Sequence, residues 1–208
     1  MIDDTVLRTM STEPGARSHS DPETLLRVQN LSIRFDGAPP GVNVVDEVSF
    51  SVAKGKTLCL VGESGCGKSV TALSLMGLLP TPPARLVNGV AHFRGKDLFS
   101  LPERERADMR GNRTAMIFQE PMTSLNPAYT VGDQIMEGIL RHRKVSKADA
   151  RERALDMLRR VRIPAPEKRM RAYPHEMSGG MRQRIMIAVA LANEPELLIG
   201  RASCRERV

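Results

Sequence analysis

The chain has 208 residues, 41% hydrophobic and 26% charged, a usage that excludes a disordered chain and suits one ordinary domain or most of a larger one. Its longest uninterrupted apolar run, Ile185 to Ala192, is far short of the ~20 residues of a membrane-spanning helix. Cys59, Cys66 and Cys204 are odd in number and follow no metal-ligand spacing, which leaves reduced thiols rather than disulfides or zinc. The net charge of +7 raises nucleic acid as a partner, but Lys and Arg read as scattered and aromatics are 3%; no nucleic-acid partner is expected.

Residues 1–23 mix Ser, Thr, Pro, Gly and Asp in a pattern that buries little, and read as a disordered leader with no signal-peptide run. A cytoplasmic location is expected. Short apolar runs follow at Leu25 to Val28, Leu31 to Phe35 and Val48 to Val52; their alternation predicts strands, with a turn over Gly37 to Gly41. Thr57 to Val61 is continuously apolar and ends in Gly62, which predicts a buried parallel strand feeding a loop. Ser69 to Leu79 then reads as a helix stopped by Pro80, Pro82 and Pro83. Further strands are expected at Val90 to Phe93 and Ala115 to Phe118, with a short helix after Pro102. From Thr130 the period becomes helical, over Gly132 to Arg141, Lys147 to Val161 and Ser178 to Ala192, before a strand opens at Leu197 to Ile199.

Two motifs carry chemistry. Gly62-Glu63-Ser64-Gly65-Cys66-Gly67-Lys68-Ser69 fits G-x-x-x-x-G-K-[ST] between a strand and a helix, the setting in which that pattern binds phosphate. The glycines let the backbone curl so that successive N–H groups face inward. Lys68 then offers charge to the β and γ phosphates, Ser69 a hydroxyl to Mg²⁺, and the helix its dipole. The second motif is Ser178-Gly179-Gly180-Met181, followed by Arg182-Gln183-Arg184. Ser178 is suited to cap a helix, and the two glycines leave N–H groups open to an anion.

With these motifs the chain, from about Leu25 to Ile199, resembles the ABC ATPases, whose signature is a Leu-Ser-Gly-Gly-Gln-like run. Met177 and Met181 depart from its commonest form in a way familiar from the peptide-importer branch. Pro121-Met122-Thr123-Ser124-Leu125-Asn126-Pro127 and Tyr173-Pro174-His175-Glu176 narrow the likeness to ATPases of oligopeptide, dipeptide and glutathione importers. The resemblance implies an α/β fold: a P-loop NTPase (RecA-like) core, an antiparallel β subdomain and an inserted α-helical subdomain at about 120–178, incomplete at the C-terminus. It implies ATP and Mg²⁺ as ligands, with Gly62, Glu63, Ser64, Gly65, Cys66, Gly67, Lys68 and Ser69 around the phosphates. Phe35 would stack on adenine, and Gln119 would touch Mg²⁺ as the Q-loop residue. Ser178, Gly179, Gly180 and Met181 would hold the γ-phosphate of ATP bound to a second ABC subunit. The implied partners are that second ATPase, transmembrane permease subunits and, indirectly, a peptide-binding protein. The location is then peripheral, on the cytoplasmic face of the membrane.

One stretch breaks the pattern. In this family the strand at Leu197 to Ile199 continues into Asp for Mg²⁺ and Glu to polarise water, whereas here Gly200, Arg201 and Ala202 follow. An Arg repels the ion and Ala202 orients no water, so the chain as written is expected not to turn ATP over. Residues 200–208 match, residue for residue, the translation of one frame of a common sequencing adapter, GGA AGA GCG TCG TGT AGG GAA AGA GTG, and read as an assembly artefact. Their Arg201, Arg205 and Arg207 against Glu206 supply +2 of the net +7. Other readings are a soluble ABC ATPase of DNA repair or translation, or a nucleotide-binding fragment without turnover.

Overall fold

The computed structural model describes residues 23–39, 41–118 and 124–200. The chain divides at Arg106/Ala107 into two compact units.

The first unit is built on an antiparallel sheet of β1 (Thr24–Phe35), β2 (Val45–Ala53), β3 (Ala84–Phe93) and β4 (Lys96–Asp97), in the order β2-β1-β3-β4. β1 is an inner strand, its backbone satisfied on both edges, and Leu26, Val28, Leu31 and Ile33 are buried along it. The two runs expected as separate strands are therefore one. Asn30 interrupts the apolar pattern by taking φ +51°, the register shifts there, and the ladder resumes at Leu31. The bulge needs a glycine opposite: a Cβ on Gly89 would lie 2.6 Å from the Leu31 Cα. Asn and Gly are the residues that tolerate such backbone. Arg94 and Gly95, both at positive φ, join Phe93 to Lys96 in a two-residue hairpin turn.

Helix α1 (Lys68–Leu75) is shorter than its proline stop suggested. Gly77 takes φ +62°, and the N–H groups of Gly77 and Leu78 donate to Ser74 and Leu73, which closes the helix before the prolines are reached. The strand expected at Thr57 to Val61 is absent. Those residues are irregular and exposed, Val61 to 82%. A parallel strand is stable only with neighbours that satisfy its backbone and cover both faces, and this segment belongs to neither sheet among the described residues. Helix α2 (Glu103–Met109) follows Pro102 as expected.

In the second unit β5 (Thr114–Ile117) pairs in parallel with β6 (Leu197–Gly200), Thr114 facing Leu197 and Ile117 facing Gly200. Between them run α3 (Val131–His142), α4 (Lys147–Arg160), the single turn α5 (Pro166–Arg169) and α6 (Gly179–Leu191). Side chains set where three of them start. Thr130 and Ser146 accept from the N–H groups of Asp133 and Asp149, and Ser178 from that of Met181. The helices share one core of buried Val131, Ile135, Ile139, Ala154, Leu158 and Ile185. Gly132 lets α3 approach the chain after α5: its N–H donates to Met170 at 2.9 Å, and a Cβ there would meet the same carbonyl at 2.6 Å. Among the described residues no helix is long and apolar enough to cross a membrane.

Candidate functional site

The loop Gly62 to Ser69 leaves the sheet unit and enters α1. Gly67 is the N-cap of that helix at φ +87°, and Gly65 lies at φ +89°, a region costly for other residues. Gly67 is also sterically required. A Cβ on it would stand 2.6 Å from the Val44 carbonyl oxygen and 3.0 Å from a Val45 methyl. The sheet fixes those two in turn, since the Val44 N–H donates to Ile33 at 2.8 Å and Val45 pairs with Ile33 in the β1–β2 ladder. The Gly67 carbonyl accepts from both the N–H and the hydroxyl of Thr71, at 2.8 and 3.1 Å, and Thr71 is buried. The loop is thus clamped at its helix end.

Lys68, the first residue of α1, folds back over the loop. Its ammonium donates to the carbonyls of Gly62 at 2.6 Å and Glu63 at 2.5 Å, and to the Cys66 sulfur at 3.1 Å. The cation thereby curls residues 62–68 into a ring and gathers Gly62, Glu63, Cys66 and Lys68. Glu63, Ser64, Gly65 and Ser69 are exposed and Cys66 is half-buried. The first N–H groups of α1 have no acceptor within the helix. The Lys68 ammonium, the N-terminal end of α1 and glycines in the left-handed region together fit a polyphosphate. No cluster of three His, Cys, Asp or Glu side chains able to hold a metal occurs among the described residues.

Phe35 ends β1, half-buried and paired with Ala84. It lies two residues beyond Ile33, whose partners Val44 and Val45 abut Gly67, so β1 brings it to the loop end of the sheet. Gln119 lies outside the described residues, as do 201–208; Phe118, just after β5, is exposed.

Ser178, Gly179, Gly180 and Met181 belong to the second unit. Ser178 caps α6, its hydroxyl oxygen accepting from the Met181 N–H at 3.3 Å, and its carbonyl accepts from Arg182 at 3.0 Å. Both glycines are exposed, with no atom within 4 Å of where a side chain would begin. Met177 is buried in the helical core. His175 is exposed and stacked on Tyr173, ring centroids 5.6 Å apart. Missing from the sequence reading is Asn193, a buried polar residue after α6. Its amide donates to the carbonyls of Gly111 at 2.8 Å and Gly138 at 2.9 Å, while Arg143 donates to its backbone oxygen at 2.8 Å. In sequence Asn193 looks like an ordinary turn residue ahead of Pro195.

The family described as ABC transporter matches residues 45–200, and the chain belongs to that family. It is 55% identical over 185 residues to "Probable peptide ABC transporter ATP-binding protein y4tR" of Sinorhizobium fredii, an alignment covering 88% of this chain and 55% of that protein. It is 52% identical to the dipeptide transport ATP-binding protein DppD of Bacillus subtilis, over 85% of this chain and 53% of DppD. The chain thus spans about half the length of the curated relatives it matches. In fold it resembles the ATP-binding cassette MJ0796, solved as a dimer bound to ADP and Pi, with a TM-score of 0.72 at 22% identity over 84% of this chain and 72% of that one. The expected P-loop NTPase-type α/β fold with an antiparallel sheet and helices is that of these cassettes.

Proposed function

We propose that this chain is the nucleotide-binding part of the energy-coupling subunit of a peptide importer. The observation that carries the reading is the ring that Lys68 closes over Gly62, Glu63 and Cys66 at the start of α1, in a chain about half identical to named peptide and dipeptide transport ATP-binding proteins. ATP would lay its phosphates along residues 62–69. The ammonium of Lys68 exchanges its carbonyl partners for phosphate oxygens, and the α1 dipole favours the added negative charge. Phe35 offers a ring for adenine at the same end of the sheet. Ser69 and, outside the described residues, Gln119 would hold Mg²⁺, which would neutralise charge on the phosphates.

Ser178 to Met181 would meet the γ-phosphate bound by a second ABC subunit, through the N–H groups that Gly179 and Gly180 leave open. The further partners are permease subunits and, through them, a peptide-binding protein, at the cytoplasmic face of the membrane. The domain reading proposed alongside is a leader at 1–23, a partial ATP-binding domain at 24–199 with helical insertion at about 120–178, and an adapter-derived segment at 200–208. Gly200, Arg201 and Ala202 supply neither magnesium carboxylate nor water-polarising group. The 208-residue chain should therefore bind ATP without turning it over, and hydrolysis coupled to transport belongs to a parent with both carboxylates.

Titration of the purified chain with a fluorescent ATP analogue tests the reading. Saturable binding that Lys68→Ala weakens at least tenfold is expected. Equal affinity in the variant, or multiple-turnover phosphate release by the unaltered chain, would overturn it.

A further inference from the structure

The cations are not scattered along the chain. Residues 141–184 hold fourteen Lys and Arg against five Asp and Glu, a net of +9, so the remaining residues net −2 of the total of +7. This stretch runs from the end of α3 to the first turns of α6. On it lies an open groove of about 600 Å³ lined by Arg151, Lys168, Arg169 and Arg171 together with Glu167 and Glu176.

Both carboxylates are engaged by neighbours. Glu167 accepts from Arg159 at 2.8 Å, and Glu176 accepts from the Tyr173 N–H at 2.7 Å. Lys168, Arg169 and Arg171 form no ion pair among the described residues, and the Arg169 Nε is buried without a hydrogen-bond partner. Four cations converging with the local carboxylates already occupied form a surface for a polyanion. A second copy of this chain does not fit, because its other residues net only −2. The groove is wide and open, and Tyr173, 40% exposed, stands in the chain between its lining residues Ala172 and Glu176. Open basic surface beside an amphipathic ring suits a layer of headgroups.

We propose that this groove docks the helical unit on anionic phospholipid headgroups at a membrane surface, through Arg151, Lys168, Arg169 and Arg171. The contact does not depend on nucleotide, so its failure and failure of the ATP-binding reading are separable.

Co-flotation of the full chain with vesicles of phosphatidylcholine alone, or of phosphatidylcholine with phosphatidylglycerol, tests it. Binding to the anionic vesicles only is expected, falling as salt is added. The triple reversal R151E/K168E/R171E, all at exposed positions, should weaken it by about a hundredfold or more, since loss of each cation near such a surface costs about fivefold and the added carboxylates repel it further. The matched reversal K54E/K56E/R104E in the first unit should leave it within about threefold, with both variants melting as the parent does. Equal flotation with neutral vesicles, or equal loss in the two variants, would overturn the proposal. So would a groove variant that loses binding to a single-stranded DNA oligonucleotide but keeps vesicle binding. If the groove variant fails to fold, the single reversal R171E takes its place and should lose about fivefold or more.

Discussion

Gly67 and Val44 meet so closely that a single methyl cannot stand between them: a Cβ on Gly67 would lie 2.6 Å from the Val44 carbonyl oxygen. The shape of the phosphate loop is thereby tied to the β1–β2 ladder, because Val44 is held by the carbonyl of Ile33.

Gly67→Ala should therefore be the more damaging of two glycine substitutions. Gly65 has the same backbone sign, but nothing lies within 4 Å of its missing side chain, so Gly65→Ala carries only the left-handed penalty of about 1 kcal/mol. Gly67→Ala adds a backbone clash, for a total of roughly 2–4 kcal/mol. Urea denaturation of the two variants should separate them in this order. Equal midpoints would show that Val44 moves aside freely.

Cys66 sits in the ring 3.1 Å from the Lys68 ammonium, where a bulky adduct would displace the lysine. Alkylation by N-ethylmaleimide in a C59S/C204S background should abolish binding of a fluorescent ATP analogue, and prior ATP should slow the modification. Unchanged affinity after complete modification, checked by mass spectrometry, would contradict this.

Asn193, itself buried, ties segments of the second unit together through two carbonyls and a guanidinium, in part-buried contacts. Asn193→Leu removes the donor to the carbonyls of Gly111 and Gly138, the second of them half-buried, at a cost of about 1–3 kcal/mol. An exposed replacement such as Gln183→Leu should stay within about 0.5 kcal/mol. Chemical denaturation followed by circular dichroism reads both.

His142 titrates below its ordinary 6.5 because burial disfavours the imidazolium and Arg141 repels it, against weaker opposing pulls from Asp108 and the Arg110 carbonyl. The unfolded chain then binds the proton more readily than the folded one. The contribution is present in full above 6.5 and is lost as pH falls through the lowered folded value. The urea midpoint of the parent should drop across that window more than that of His142→Asn. Parallel curves would remove His142 as the cause.

Local chemistry made much of this legible. The phosphate loop shows because its glycines, lysine and serine are each demanded by backbone or charge, and the cap at Ser178 shows because side-chain oxygens start helices. What depended on distant partners did not show. Thr57 to Val61 carries the composition of a buried strand, yet composition does not supply the neighbouring backbone a ladder needs. The continuity of β1 through Asn30 rests on Gly89, far away in sequence, and α1 ends at Gly77 rather than at the more conspicuous prolines. Asn193 was hidden for the same reason, its partners lying far away in sequence, at Gly111 and on α3 and its C-cap Arg143.

Met177, sunk in the helical core beside the exposed Ser178, Gly179 and Gly180, has a mechanical consequence. The three exposed residues begin one peptide bond from an anchor, so they have little slack of their own and travel with α6 as its tip. Aim at a ligand is then a property of the whole bundle, and loosening Ile135 or Ile185 at the centre should blur it as surely as altering the tip.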